Sequence, residues 1–193
     1  MIDCYKKRDR ILRILFHLFV FLYLIPASLN AQRALSVRDT KGIAPAFEFI
    51  TLNSESISSG NLRGKIIVLD FWSTGCTPCV KSMPQMEKFY QKYKNDERVA
   101  IYLVNSGWES IEKARSFADA KRKHFLFFSW GEKYDLPFAY DNECATMKKF
   151  NLDSNPSTII IDASFRLRVK HSGFITDFYD FLNDHVEQLL AEK

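Results

Sequence analysis

No second CxxC accompanies Cys76-Thr77-Pro78-Cys79, and His124, His171 and His185 are scattered without ligand spacing. A zinc site built on this pair would lack half its ligands. Cysteine is sparse throughout, with four in 193 residues, so the chain is not a small scaffold stapled by disulfides. There are no internal repeats and no low-complexity tracts, which excludes solenoid architectures. A basic field is missing too. Lys6, Lys7, Arg8, Arg10 and Arg13 oppose only Asp3 and Asp9 in the first 31 positions, so this segment carries +3 of the net +4 and leaves about +1 for the rest. No nucleic-acid partner is expected from such a balance.

The one long apolar run, 14–25, is interrupted only by His17 and Tyr23, is broken by Pro26, and is followed by Ala27-Ser28-Leu29-Asn30-Ala31. A basic start, a short apolar core and small residues at its end are the layout of a secretory signal peptide, and the run is short for a membrane span. We expect residues 1–31 to be a cleaved signal, 32–43 a mobile leader and 44–193 the folded domain. The alternative is an uncleaved N-terminal membrane anchor. Export to a periplasmic, oxidising compartment takes Cys4 away with the signal and leaves Cys76, Cys79 and Cys144, an odd number that needs a reason.

Along the remaining chain, 47–52 alternates as a short strand, and 53–60, rich in Ser, Asn and Gly, reads as a loop. The near-continuous apolar run 66–72 suits a strand buried on both faces. From Cys79 the period becomes helical, with Val80, Met83, Met86, Phe89, Tyr90 and Tyr93 inward and Lys81, Gln85, Lys88 and Lys92 outward. Pro84 should kink this helix. A strand over 99–104 and a helix over 110–120 follow. The stretch 124–140 is irregular and aromatic; such a cluster could line a substrate groove, but packing into the core is its commoner fate. A short helix over 143–150, a hairpin of strands 158–161 and 167–171, and a last helix capped by Thr176 complete the pattern. The expected fold is α/β, a central mixed sheet with helices on both faces. A CxxC on the first strand-to-helix junction of that pattern is the cue for a thioredoxin-like redox fold.

Two cysteines at such a junction can close a small, reducible disulfide. Helix N-terminal amides favour the thiolate of the first, Cys76, which reads as an exposed nucleophile, with Cys79 one turn further in as the resolving thiol. Asp70 interrupts an apolar strand. If buried, its carboxyl pKa rises and it becomes a proton acceptor for Cys79; if half-exposed at an edge, it is ordinary. Asn155-Pro156 precedes a strand, where the bond can be cis and present backbone groups to an extended substrate, or can be a plain trans turn. Trp72, four residues before Cys76, would shield the site. Thr77, Pro78 and Asn155 complete the expected substrate-facing set, and the dithiol chemistry calls for no cofactor.

Leu62-Arg63-Gly64-Lys65, the run Val68 to Cys79, Met83-Pro84, Ala44-Pro45-Ala46-Phe47, and Asn155-Pro156-Ser157-Thr158 through Asp162 together resemble the exported thiol–disulfide oxidoreductases of the TlpA/ResA group, within the AhpC/TSA-redoxin grouping. The resemblance implies a thioredoxin-like fold, Cys76 as nucleophile, Cys79 as resolving cysteine, Pro156 as cis-proline, and Asp70 in the place of the buried acid of thioredoxin itself. It further implies protein thiol or disulfide substrates, a membrane-borne thiol reductant and a reducing direction; we expect a monomer. Gly75 departs from the family's usual Trp before the first cysteine, opening that wall of the site. Cys144 lies outside the motif and reads as a buried free thiol in a helix. Two other readings stand beside the oxidoreductase. A peroxiredoxin-like peroxidase would use Ser73 as its hydroxyl but has Leu69 where its proline belongs; a dithiol metal-delivery module would favour CxxxC with a histidine.

Overall fold

The computed structural model describes residues 42–122 and 134–192. The signal segment, the leader up to residue 41 and the aromatic residues Phe125, Phe127, Phe128 and Trp130 lie outside the described residues. Seven strands form one mixed sheet: β1 (Glu48–Thr51), β2 (Ser56–Ser58), β3 (Ile66–Trp72), β4 (Val99–Asn105), β5 (Phe138–Tyr140), β6 (Ser157–Ile161) and β7 (Leu167–Ser172). Their spatial order is β2-β1-β5-β4-β3-β6-β7. The central β3, β4 and β5 run parallel, and the outer pairings are antiparallel. Helices α1 (Thr77–Tyr93), α2 (Ile111–Arg122), α3 (Ala145–Lys149) and α4 (Phe178–Ala191) connect and cover it.

β3 is buried at all seven positions, as its unbroken apolar run demands of a strand covered on both faces. One face of β3, Ile67, Leu69 and Phe71, packs with Phe47, Phe49, Met147, Phe150 and Phe165. The other, Val68, Asp70 and Trp72, looks toward the helices, where Trp72 meets Phe117 of α2. α1 runs on through Pro84 and packs along α4. Gln85, expected to face away, stitches the two. Its amide nitrogen donates to Thr176 C=O (2.9 Å) and its oxygen accepts from Tyr179 N–H (3.0 Å). The helix start expected to be capped by Thr176 is therefore held from α1; its cap position is Asp177, which makes no side-chain cap bond.

Two strands differ from expectation. β2 lies in the stretch read as loop, and β5 in the stretch read as irregular. Each has three residues, too few for a period-2 signal, and each exists because a neighbour supplies its ladder. Pairing also starts two residues before the expected boundary: Gly42 C=O accepts from Leu167 N–H (2.9 Å), and Ile43 bridges Arg166. Tyr134, Phe138 and Tyr140 are buried, the core outcome for the described part of the aromatic cluster. Cys144 is half-buried, in the left-handed conformation at the end of a single 3-10 turn (Asn142–Cys144) that leads into α3, and not buried within an α-helix. Its place follows from Asp141, whose buried carboxylate accepts from Thr146 N–H (2.8 Å) and Met147 N–H (2.9 Å) and so sets the start of α3 at Ala145, two residues after the expected start at 143.

Candidate active site

β3 ends at Trp72, and the chain turns sharply over 73–76, Cys76 N–H donating to Ser73 C=O (3.1 Å). Helix α1 then starts at Thr77 with Pro78 in its first turn, where a missing amide hydrogen costs nothing. Cys76 is the cap. Its Sγ accepts from Cys79 N–H (3.2 Å), and its C=O accepts from Val80 N–H (3.1 Å). Cys76 and Cys79 are joined as a disulfide with Cα atoms 5.3 Å apart. Against the expectation of an exposed nucleophile, Cys76 is only 9% exposed in this bonded form, because its sulfur turns inward onto the helix end; Cys79 is 3% exposed. Thr77 is exposed and Pro78 half-buried, while Gly75 is exposed with open space where a Cβ would stand.

Asp70 lies near the carboxyl end of β3, between Leu103 of β4 and Thr158 of β6. It is buried, so the half-exposed edge alternative does not hold. Burial pushes its carboxyl from 3.8 up to about 7, opposed by a hydrogen bond that the Thr158 hydroxyl donates to Oδ1 (2.9 Å). Trp72 needs correction as a substrate-facing residue. It is fully buried, its ring N–H donates to Leu103 C=O (3.1 Å), and it is packed between Phe117 and Phe138. A ring that large beside a strand end finds its most favourable place in the core.

The Asn155–Pro156 bond is cis, and its loop is tied on both sides. Gly173 N–H donates to Pro156 C=O (2.8 Å), and the Ser106 hydroxyl donates to Asn155 Oδ1 (2.7 Å) while Ser106 N–H donates to Trp72 C=O (2.9 Å). Pro156 is buried and Asn155 half-buried. The structure thus joins the cysteine turn, the 105–109 loop and the proline loop at one end of the sheet. It also reveals Glu109, which the sequence reading missed. One oxygen accepts from Thr74 N–H (2.7 Å) and Asn105 Nδ2 (2.7 Å), the other from the Thr74 hydroxyl, and Lys113 Nζ stands 3.0 Å away. Burial pushes the Glu109 carboxyl up, but these donors outweigh it and hold it below the usual range. The only local signal was its i,i+4 spacing to Lys113; the link to Thr74 is made by strand pairing. Two exposed rings flank the region, Trp108 (53%) on the Glu109 loop and Phe174 (46%) beside Gly173. Among the described residues, no three His, Cys, Asp or Glu side chains gather as a metal-holding group.

The sequence model of the AhpC/TSA family matches residues 40–170. A thioredoxin-like protein, YneN of Bacillus subtilis (strain 168), is 33% identical over 137 residues, covering 69% of this chain and 71% of that protein. The thiol-disulfide oxidoreductase ResA of Halalkalibacterium halodurans is 32% identical over 126 residues, 65% of this chain and 64% of that protein. Among solved structures, a Bacteroides thetaiotaomicron protein described as a protein disulfide isomerase superposes with a TM-score of 0.66 at 21% identity, covering 81% of this chain and 94% of that one. The last likeness speaks to the thioredoxin-like fold.

Proposed function

This chain belongs to the AhpC/TSA family and is a thiol–disulfide oxidoreductase, and from that premise we propose that Cys76 attacks, Cys79 resolves and Asp70 takes the proton of Cys79. The observation that carries this reading is the disulfide closed across the first turn of α1, its first sulfur bonded to a helix amide. When the pair is reduced, that amide and the helix dipole favour a thiolate on Cys76. The thiolate attacks a substrate disulfide; one substrate sulfur leaves, and the other is held on Cys76. Cys79 then loses its proton to Asp70, attacks Cys76 Sγ, and expels the substrate sulfur as a thiolate, which takes its proton from water. A carboxyl brought to about 7 by burial is matched to accept a proton near neutral pH.

The substrates are protein disulfides and thiols, as befits relatives named for that exchange, and the working direction is reducing. The cis-Pro156 loop offers its backbone to an extended substrate segment, with Thr77, Pro78 and Asn155 lining the approach. The basic, then apolar, N-terminal segment supports export across a membrane, where a membrane-borne thiol donor re-reduces the pair and the enzyme works as a monomer. Leu69, standing where a peroxidase would want proline, is sealed in the middle of β3, so peroxide chemistry has no support from the site.

The test is insulin-disulfide reduction by the purified protein. Cys76→Ser abolishes turnover, whereas Cys79→Ser accumulates mixed disulfides on Cys76 with envelope proteins, seen by mass spectrometry. Equal and mild losses from both substitutions would refute the assigned roles.

A further inference from the structure

Register places a third polar side chain in line with Asp70. Asp70 pairs with Thr158 across β3 and β6, and Thr158 pairs with His171 across β6 and β7. Side chains directly opposite on neighbouring strands share a face, so these three form a row beneath the helices. All three are buried, His171 to 6% exposure. The row is only half bonded. The Thr158 hydroxyl donates to Asp70, and among the described residues both ring nitrogens of His171 are without a hydrogen-bond partner. A buried ring with two unpaired nitrogens is destabilising, on a strand where an apolar side chain like that of Val169 would pack without this cost.

The groups around the row are few. From β4, Leu103 stands opposite Asp70, and from α2, Phe117 covers Trp72. From α4, Phe181 lies against the His171 ring (5.7 Å), and the half-buried His185 ring also lies against Phe181 (4.7 Å). α1 brings Cys79 at its start and the Lys92–Glu187–Tyr93 cluster at the seam with α4. Lys170, the neighbour of His171 on β7, reaches Asn151 C=O. Among the described residues, no charged neighbour contributes to the displacement of the Asp70 carboxyl.

We propose that Asp70, Thr158 and His171 form a buried proton path, in which His171 takes the proton that Asp70 has received from Cys79 and releases it at the β7–α4 rim. This rests on the reading of Asp70 as proton acceptor. A threonine hydroxyl has one hydrogen and two lone pairs, so it can pass a proton on while taking one. In the step, the Asp70 carboxyl O–H breaks as a new O–H forms on Thr158; the former Thr158 O–H breaks as an N–H forms on an unprotonated nitrogen of His171. Asp70 returns to carboxylate, the imidazole becomes imidazolium, and no electron moves. Directly opposed side chains have Cβ atoms roughly 5 Å apart, so one rotation of the imidazole brings a ring nitrogen to Thr158. His171 acts through Thr158 and touches neither sulfur nor substrate.

The experiment uses the reduced protein, with Cys4 and Cys144 replaced by Ser so that the pair alone reacts, and 5,5′-dithiobis(2-nitrobenzoate) in stopped flow. The first thionitrobenzoate released reports capture by Cys76, and the second reports resolution by Cys79. His171→Gln is expected to leave the first release unchanged and slow the second about a hundredfold, the low end for a lost proton-transfer group, with its pH dependence shifted. Thr158→Val, which breaks the path but keeps both titratable groups, is expected to do the same. In an Asp70→Asn background, His171→Gln should slow nothing further. Near-ultraviolet circular dichroism confirms that each variant is folded; if His171→Gln is not, Thr158→Val decides. The path is overturned if Asp70→Asn slows the second release while the folded His171 and Thr158 variants do not, or if His171→Gln slows it equally with and without Asp70. If Asp70→Asn itself leaves resolution untouched, the acceptor role of Asp70 is what fails, and the path falls with it.

Discussion

A carboxyl that ionises near 3.8 in an unfolded chain and at about 7 in the folded one sets a definite sign for stability against pH. Below about pH 4 both states hold the proton and Asp70 costs nothing in charge. As pH rises through about 7, the unfolded chain has already released a proton that the native state still binds, so stability falls. About three pH units at about 1.4 kcal/mol each make the full penalty about 4 kcal/mol. Asp70→Asn is therefore expected to stabilise the oxidised protein by up to about 4 kcal/mol at pH 8 and by almost nothing at pH 4, as read by urea unfolding at the two pH values. The identity of this residue was legible in the sequence, since a single acid in an apolar run stands out. Its burial was not, because only the presence of β4 and β6 on either side distinguishes a central strand from an edge. Trp72 failed for the same reason: closeness to Cys76 in the chain says nothing of which face of the strand a ring occupies.

Among the elements, β3, α1, β4 and the closing hairpin were readable because each is long enough to show its period. β2 and β5 were not, with three residues apiece and ladders supplied from elsewhere in the chain. The loop after β4 is the more consequential gap. Glu109 fixes the turn ahead of Cys76 by accepting from Thr74, a contact made across 35 positions of sequence. Glu109→Ala leaves the Thr74 N–H and the Asn105 amide without their acceptor. A loss of about 2 kcal/mol is expected, with Glu109→Gln recovering much of it because one amide oxygen still faces Thr74. Denaturant midpoints of the three proteins check this. Gly107 makes the loop's seat possible: its φ is +70°, and a Cβ there would stand 2.0 Å from Asp141 O, a contact no side chain permits.

For the molecule as a whole, redox state and folding are linked. A fold that favours the bonded pair over the open one makes the protein a reductant, whereas a strong oxidant of this chemistry stabilises its reduced form. Closing a loop as short as the one between Cys76 and Cys79 removes unfolded-chain entropy worth about 2 kcal/mol. The oxidised protein should accordingly unfold at higher denaturant than the reduced one; the reverse order would overturn the reducing direction. The overall architecture was legible because alternating strand and helix periods leave few topologies. The meeting of three loops at one end of the sheet was not, since it depends on bonds such as Ser106 to Asn155 that join distant segments. The two described tryptophans bear on how such a protein can be watched at work. Trp72 has no exposed surface and Trp108 has half of its own. With Trp130 replaced by Phe, a dissolved quencher such as iodide reaches one indole and spares the other, so fluorescence carries a built-in reporter of whatever covers the rim of the active site.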